Sequence, residues 1–297
     1  MDSQEAVSPN EQSKRFWKQG MRPADLFIRL RTALLLAPVA MLAILKLPDT
    51  SLLIVASLVA QLIFREWLIL SGVKAVIRPW LIGACIAMTY LLLIGPARAI
   101  VNCIWAGAVC WIAILASLRH ARIEVTRTWS NIACKALLGL IVVLSLFAAM
   151  TWLCEQPQGR YLLIFLISMV CALDSLCYLL GKFIRVLADR KPLAPKISPN
   201  KNLAVLAIAW CITAVISATI LLVSQKAAPG RCLIILATTL VSLSFGVVGD
   251  LFCSLMKRQA NVKDSGRMLP GHGGVMDRLD SLLAALPIFT AFLIFSR

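Results

Sequence analysis

The segment from Gly249 to Ser281 contains residues whose types and spacing suit phosphate and metal chemistry. Four of the chain's 14 acidic residues lie in it, together with five basic residues, a glycine-rich run and one of the two histidines. Magnesium takes a few carboxylate oxygens, and water and phosphate complete its shell. The segment therefore predicts a site for a magnesium-bound polyphosphate beside a membrane face. The four acids are Asp250, Asp264, Asp277 and Asp280.

The spacing within this segment places several polar side chains on shared helix faces. Four of them stand at i, i+4, i+7 and i+8, and they would share one face if the preceding helix continues through them. Asp277 and Asp280 would open the next helix one turn apart, where the helix dipole favours carboxylates. The alternative is that the acids form interfacial salt bridges with Lys257, Arg258 and Arg278. The four residues on the first face are Asp250, Ser254, Lys257 and Arg258.

A glycine-rich run, Pro270-Gly271-His272-Gly273-Gly274, separates these two predicted helices. Glycines let backbone N–H groups approach phosphate oxygens closely. We therefore expect this run to contact phosphate, with His272 in a structural or phosphate-contacting role.

The composition predicts an all-α integral membrane protein. Of the 297 residues, 60% are hydrophobic and 15% are charged, and the mean hydropathy is +0.85. A soluble domain carries about 25% charged residues. The apolar runs are continuous, which favours helices over alternating strands. We expect a polar cytoplasmic arm over 1–26 and one membrane domain over 27–297.

Nine apolar runs approach the length of about 20 residues that a membrane-spanning helix needs. They leave two unusual polar loops, at 182–202 and 250–280, which we expect to emerge on one side and to meet over one cavity. The ten cysteines include no C-x-x-C pair, so a zinc or redox site has little support. The predicted spans are 30–47, 51–70, 79–96, 99–118, 135–154, 160–181, 203–224, 231–249 and 281–296.

The distribution of basic residues predicts the orientation. Taking the amino terminus and every second loop places 24 of the 30 Lys and Arg residues on one side and 6 on the other. Because cytoplasmic loops are rich in Lys and Arg, the amino terminus is predicted to be cytoplasmic and the carboxyl terminus to lie on the far side. The net charge of +16 then belongs to a membrane face that contacts lipid headgroups, so nucleic acid is not an expected partner.

Two acids outside the segment 249–281 are also candidate functional residues. Asp174 lies inside the sixth predicted span, and an acid within a membrane is costly, which favours a functional role over an ion pair with Lys182 or Arg185. Glu66 follows Arg65, and the sequence leaves open whether it forms a local ion pair or has a structural role in the site.

The run from Ser254 to Asp280 reads S-x-M-K-R-x4-K-D-S-G-x2-L-P-G-H-G-G-V-x-D-R-L-D, and it resembles the hallmark of phosphatidate cytidylyltransferases (CDP-diacylglycerol synthases). The family's EW element is matched by 64–67, its D-x-x-x-Y-x-x-G-[KR] element by 174–182, and its L-A-P-K-I-S-P-N-K loop by 193–201. The chain departs from the family at 202–205, which reads N-L-A-V, and at Cys253, where the family usually has an acid.

The resemblance implies that CTP and phosphatidic acid give CDP-diacylglycerol and pyrophosphate for phospholipid synthesis. A lipid phosphate oxygen would attack the α-phosphorus of CTP, so catalysis would rest on charge neutralisation and in-line positioning. It also implies one or two Mg²⁺ ions, membrane lipid as a partner, and a homodimer. Short loops suit a bacterial cytoplasmic (inner) membrane, with the active site facing the cytoplasm.

The same resemblance assigns roles to individual residues, residue by residue. The implied catalytic residues are Asp250, Ser254, Lys257, Asp264, Asp277 and Asp280. The implied substrate-binding residues are Ser198, Asn200, Lys201, Arg258, Lys263, His272 and Asp174. The implied metal ligands are Asp250, Asp277 and Asp280.

Two alternative functions remain at this point. One is a paralogue that activates another lipid phosphate with CTP, which the departures at 202–205 and Cys253 favour slightly. The other is a catalytically silent membrane scaffold. The retention of Asp250, Asp277 and Asp280 argues against a scaffold, because a silent copy has no physical need for carboxylates there.

Overall fold

A bundle of long apolar helices forms the protein, and a computed structural model describes residues 38–120, 131–183, 192–194, 198–224, 229–268 and 273–297. A helical segment over 38–46 precedes the first long helix. The helices and strands are α1 (Asp49–Leu70), α2 (Arg78–Ile94), α3 (Ala97–His120), α4 (Ile132–Cys154), α5 (Gly159–Phe183), β1 (Pro192–Ala194), β2 (Ser198–Asn202), α6 (Leu203–Ser224), α7 (Pro229–Gln259) and α8 (Met276–Phe295).

Seven of these helices are long and apolar enough to cross a membrane, namely α1 and α3 to α8. Helix α2 is apolar but has only 17 residues, although a span over 79–96 was predicted. The predicted span 30–47 lies partly outside the described residues. The prediction of an all-α integral membrane protein is confirmed, and the orientation of its termini stays a prediction.

Small residues allow the central helices to pack closely, as is common in membrane bundles. Helix α4 packs against α1, α3 and α8. A Cβ atom at Gly139 of α4 would lie 2.3 Å from the Trp67 indole, and one at Gly107 of α3 would lie 2.2 Å from Ser145. Each glycine therefore lets a neighbouring helix approach to a distance that a larger residue would prevent.

Helices α7 and α8 pack along each other and bring together the two ends of the polar segment. A Cβ atom at Gly249 would lie 2.5 Å from the carbonyl oxygen of Asp280, so the two backbones touch at this point. Helix α7 continues to Gln259, and the first ten residues of the predicted 250–280 loop are therefore helical.

The predicted loop 182–202 contains a short antiparallel hairpin that the hydropathy pattern does not reveal. Pro192 pairs with Asn202, and Ala194 pairs with Ser198. The Asn202 side chain then accepts a hydrogen bond from the backbone N–H of Ala204, at 2.9 Å, and so caps the first turn of α6. One departure from the family pattern, at Asn202, thus provides a helix cap.

Candidate active site at the α7–α8 junction

An ion pair between Lys257 and Asp277 joins the end of α7 to the start of α8. The Lys257 ammonium donates to Asp277 Oδ1 at 2.7 Å, and the two side chains are only 13% and 6% exposed. The prediction that Asp277 opens a helix is confirmed, because α8 begins at Met276. The pair fixes the ends of the connecting loop to each other.

The second oxygen of Asp277 organises the loop between the two helices. Asp277 Oδ2 accepts the backbone N–H of Ser265 at 2.7 Å and that of Gly274 at 3.0 Å. The Ser265 hydroxyl also lies 3.0 Å from Oδ2. With Lys257, this carboxylate accepts hydrogen bonds from three donors, and Asp277 therefore holds the loop in shape.

Glu66, at the end of α1, reaches the same loop from a distant part of the sequence. Its carboxylate accepts the Ser265 hydroxyl at 2.7 Å and the backbone N–H groups of Val275 and Met276 at 3.0 and 2.9 Å. Glu66 is 1% exposed, so these bonds form away from water. Of the two roles that the sequence left open for Glu66, the structure supports the one in the site.

Two glycines in the loop make room for the Glu66 carboxylate. A Cβ atom at Gly266 would lie 2.6 Å from one Glu66 oxygen, and one at Gly274 would lie 2.3 Å from the other. Gly273 has a φ of +83°, a conformation that other residues rarely adopt. The backbone N–H of Gly274 donates to Asp277, and those of Val275 and Met276 donate to Glu66. The expected phosphate contact therefore does not involve these three N–H groups.

Trp67 fixes the end of α1 that carries Glu66. Its indole N–H donates to the carbonyl oxygen of Lys135 at 2.8 Å, and its ring packs against that of Phe252, with centroids 5.9 Å apart and planes tilted by 34°. Trp67 is fully buried against Gly139. The two adjacent residues therefore have different roles: Trp67 anchors the end of α1, and Glu66 binds the α7–α8 loop.

The remaining acids lie along the α7–α8 contact. Ser254 Oγ is 3.4 Å from Asp250 Oδ1, which confirms that these two residues share a helix face. Asp280 accepts the backbone N–H of Ser281 at 2.8 Å, and the Ser281 hydroxyl lies 3.4 Å from Asp174 Oδ2. Asp174 of α5 thus approaches the start of α8, on the side of the predicted site.

The carboxylates of this site bear on the prediction of a magnesium ion. The described residues contain no group of three His, Cys, Asp or Glu side chains that could hold a metal ion. Magnesium needs only one or two carboxylates when phosphate and water supply its other ligands. Asp250 and Asp280 lie on adjacent helices whose backbones touch at Gly249, and Asp277 accepts hydrogen bonds from Lys257, Ser265 and Gly274. Magnesium binding stays a prediction.

The structure gives fewer contacts for the other predicted site residues. Asp264 and Lys263 are exposed on the loop, and a Cβ atom at Gly273 would lie 3.1 Å from that of Asp264. His272 lies outside the described residues. Ser198, Asn200 and Lys201 belong to β2, and their side chains also lie outside the described part, so their contact with the α7–α8 loop stays a prediction.

Sequence reasoning missed Ser265 as a site residue. Its hydroxyl lies between Glu66 and Asp277 and is buried at 4% exposure. The available signal was its place in the K-D-S-G run.

Cys253 is also buried, at 1% exposure, one helical turn before Lys257. A family acid at that position would stand near Lys257, whose partner in this chain is Asp277.

The comparison with protein families decides the relationship. The model of the cytidylyltransferase family matches residues 27–296. This chain belongs to the cytidylyltransferase family.

Several curated proteins are similar to this cytidylyltransferase family member. A phosphatidate cytidylyltransferase of Pseudomonas aeruginosa is 28% identical over 89% of the chain and 96% of its own length. One of Haemophilus influenzae is 41% identical, and the alignment covers 48% of each protein. An uncharacterized protein of Escherichia coli K12, YnbB, is 35% identical over 52% of the chain and 51% of its own length. For the last two relatives, the matched region spans about half of their length.

Proposed function

We propose that this protein transfers the cytidylyl group of CTP to phosphatidic acid, giving CDP-diacylglycerol and pyrophosphate. The match to the cytidylyltransferase family over 27–296 carries the proposal. The names of the relatives from P. aeruginosa and H. influenzae give the lipid substrate. The Lys257–Asp277 pair and its loop provide a rigid, charged site at one end of the bundle, where a water-soluble nucleotide can meet a lipid headgroup.

The reaction needs positioning more than a strong base. An oxygen of the lipid phosphate forms a bond to the α-phosphorus of CTP, and the bond to the β-phosphate breaks and releases pyrophosphate. Because the attacking phosphate is already anionic, the protein must mainly neutralise charge and hold the groups in line. Lys263 is exposed on the loop, and Lys257 has three N–H donors, of which Asp277 takes one. Both lysines can therefore serve phosphate oxygens.

Magnesium is part of this proposal, with Asp250 and Asp280 as its protein ligands. A divalent ion there would neutralise the triphosphate and stabilise charge on the leaving pyrophosphate. The protein's own contribution is to keep the two carboxylates on adjacent helices, which the contact at Gly249 does. We further propose a bacterial inner-membrane location, with this site on the cytoplasmic side, and a homodimeric assembly, as the family resemblance implies.

The test uses purified full-length protein in detergent with phosphatidic acid, Mg²⁺ and CTP labelled at either the α- or the γ-phosphate. We expect α-label to enter the lipid-extractable fraction as CDP-diacylglycerol and γ-label to appear only in pyrophosphate. Label from the γ-position in the lipid would indicate phosphoryl transfer and contradict the proposal. Asp277→Asn should abolish lipid labelling, whereas Glu155→Gln, at an exposed site after α4, should not.

The same assay with other lipid phosphates as acceptors, together with a measurement of CTP binding, separates the two alternatives. A protein that binds CTP but labels only a different lipid phosphate would be a paralogue with another substrate. A folded protein that does not bind CTP at all would be a scaffold. Comparing phosphatidic acid with other lipid phosphates also tests the departure at Cys253. Activity on phosphatidic acid would show that a neutral residue is sufficient at this position.

A further inference from the structure

A cavity lies at the end of the bundle opposite to the α7–α8 junction. It has a volume of about 540 Å³ and is lined by the first turns of α7 and the last turn of α8. Arg231 and Lys257 are separated by 26 residues of α7, or about 39 Å at the rise of an α-helix. Since the apolar core of a bilayer is about 30 Å thick, the cavity and the proposed active site lie near opposite membrane faces.

The polar part of the cavity contains two arginines. Arg297 lies over the Trp152 ring at 4.6 Å from its centroid and donates to Gln156 Oε1 at 2.5 Å, so its guanidinium is held in place. Arg231 also lines the cavity and is exposed. The described residues that line the cavity include no Asp or Glu side chain. Two guanidinium groups at one concave site suit a phosphate oxygen cluster, because Arg binds phosphate through several N–H donors.

The floor of the cavity is apolar. Ile235 is 5% exposed and Trp152 is 8% exposed, and Leu293 and Leu162 continue the apolar surface. A small inorganic anion would leave this surface uncovered. A ligand with a phosphate at one end and a hydrocarbon chain at the other would satisfy both parts of the cavity.

The positions of these arginines are unusual for the face on which they lie. Only 6 of the 30 Lys and Arg residues are predicted on this side, and two of them line this one cavity. Arg160, another of the six, is engaged elsewhere: it pairs with Asp49 and donates to the carbonyl oxygen of Leu47 at 2.7 Å. Among the described residues that line the cavity, these two arginines are the only charged side chains, and this favours a bound anion.

We propose that this cavity binds an anionic phospholipid, with its phosphate between Arg231 and Arg297 and an acyl chain along Ile235 and Leu293. This lipid would be a structural ligand of the leaflet remote from the proposed active site. The proposal does not depend on the reaction carried out at the α7–α8 junction.

The test measures lipid binding to delipidated full-length protein by native mass spectrometry, with phosphatidylglycerol as the probe. Arg231→Gln is the main variant, because Arg297 also packs on Trp152 and its loss could disturb the fold. Arg98→Gln is the matched control, since Arg98 is an exposed base predicted on the same face but outside the cavity. We expect wild type and Arg98→Gln to retain one tightly bound lipid, and Arg231→Gln to bind it at least about fivefold more weakly. Equal binding by all three proteins would overturn the proposal.

Two further measurements identify the source and position of the anion. Inorganic phosphate should not displace the lipid at millimolar concentration, because it cannot cover the apolar floor; displacement would indicate a free-anion site and overturn the lipid assignment. Phosphatidylglycerol with brominated chains should quench Trp152 fluorescence, taken as the difference between wild type and Trp152→Phe. Quenching that is absent in wild type, or unchanged in Arg231→Gln, would place the lipid elsewhere.

Discussion

The carboxylate of Glu66 accepts the backbone N–H of Met276 at 2.9 Å, across 210 residues of sequence. Met276 is the first residue of α8, and Glu66 lies near the end of α1. The amino-terminal end of a helix has N–H groups without partners inside that helix. At α8 these donors are satisfied by a residue of another helix, so the start of α8 and the loop before it depend on α1 for their position.

Replacement of Glu66 tests this dependence. Glu66→Gln exchanges an oxygen acceptor for an NH₂ group that faces buried donors, and a buried donor without an acceptor costs about 1–3 kcal/mol. We expect the cytidylyl transfer rate to fall by about tenfold or more, as measured by initial rates over a range of CTP concentrations. Glu155→Gln, the same chemical change at an exposed site, should retain the wild-type rate. Equal rates for both variants would contradict a positioning role.

Gly274→Ala tests the close approach of the loop to the same carboxylate. The new methyl group would lie 2.3 Å from a Glu66 oxygen and 2.1 Å from the Ser265 hydroxyl oxygen, so the loop must move. Such overpacking costs about 1–3 kcal/mol, and we expect most of the activity to be lost. Gly83→Ala in α2, where a Cβ atom meets nothing within 4 Å, is the control. Activity of Gly274→Ala at the control level would show that the loop is not held by this contact.

A double-mutant cycle on Lys257 and Asp277 tests their ion pair. Removing one partner leaves the other charge buried, at a cost of about 3–5 kcal/mol, whereas removing both avoids that penalty. We expect Lys257→Met and Asp277→Asn each to lower the thermal midpoint in detergent, and the double variant to lose less than the sum. Additive losses would mean that the two side chains do not interact in the folded protein.

Gly249→Ala tests the contact between α7 and α8. The added methyl group would lie 2.5 Å from the Asp280 carbonyl oxygen, and the helices would have to separate. We expect lower thermal stability and weaker Mg²⁺-dependent activity, because Asp250 and Asp280 would move apart. Gly230→Ala, in the same helix with nothing within 4 Å of the new atom, should leave both properties unchanged. A Gly249 variant that behaves like the Gly230 variant would contradict this helix contact.

Much of the fold follows from local sequence patterns. Continuous apolar runs predict the helices, because a span must bury its backbone polar groups internally. The spacing from Asp250 to Ser254 predicts a shared face, and the structure confirms it at 3.4 Å. The resemblance of the 254–280 run likewise indicates the family that the match over 27–296 establishes.

Contacts between distant segments could not be predicted in the same way. Ser265 and Glu66 are 199 residues apart, and the residue pattern around each of them does not predict that they form a hydrogen bond. Gly274 illustrates the same limit, because a glycine-rich run suggests a phosphate contact as readily as a close approach by a buried carboxylate. Which of these is realised depends on what the rest of the fold places nearby, and here that group is Glu66.

The bonds from Glu66 to the α7–α8 loop also set an order of assembly during synthesis. Glu66 is translated early, and its carboxylate has none of these donors until Ser265, Val275 and Met276 have been made. A nascent chain that stalls before α8 therefore carries an acid without its donors. No such fragment can present the finished loop, so a half-made chain in the membrane should be catalytically inert.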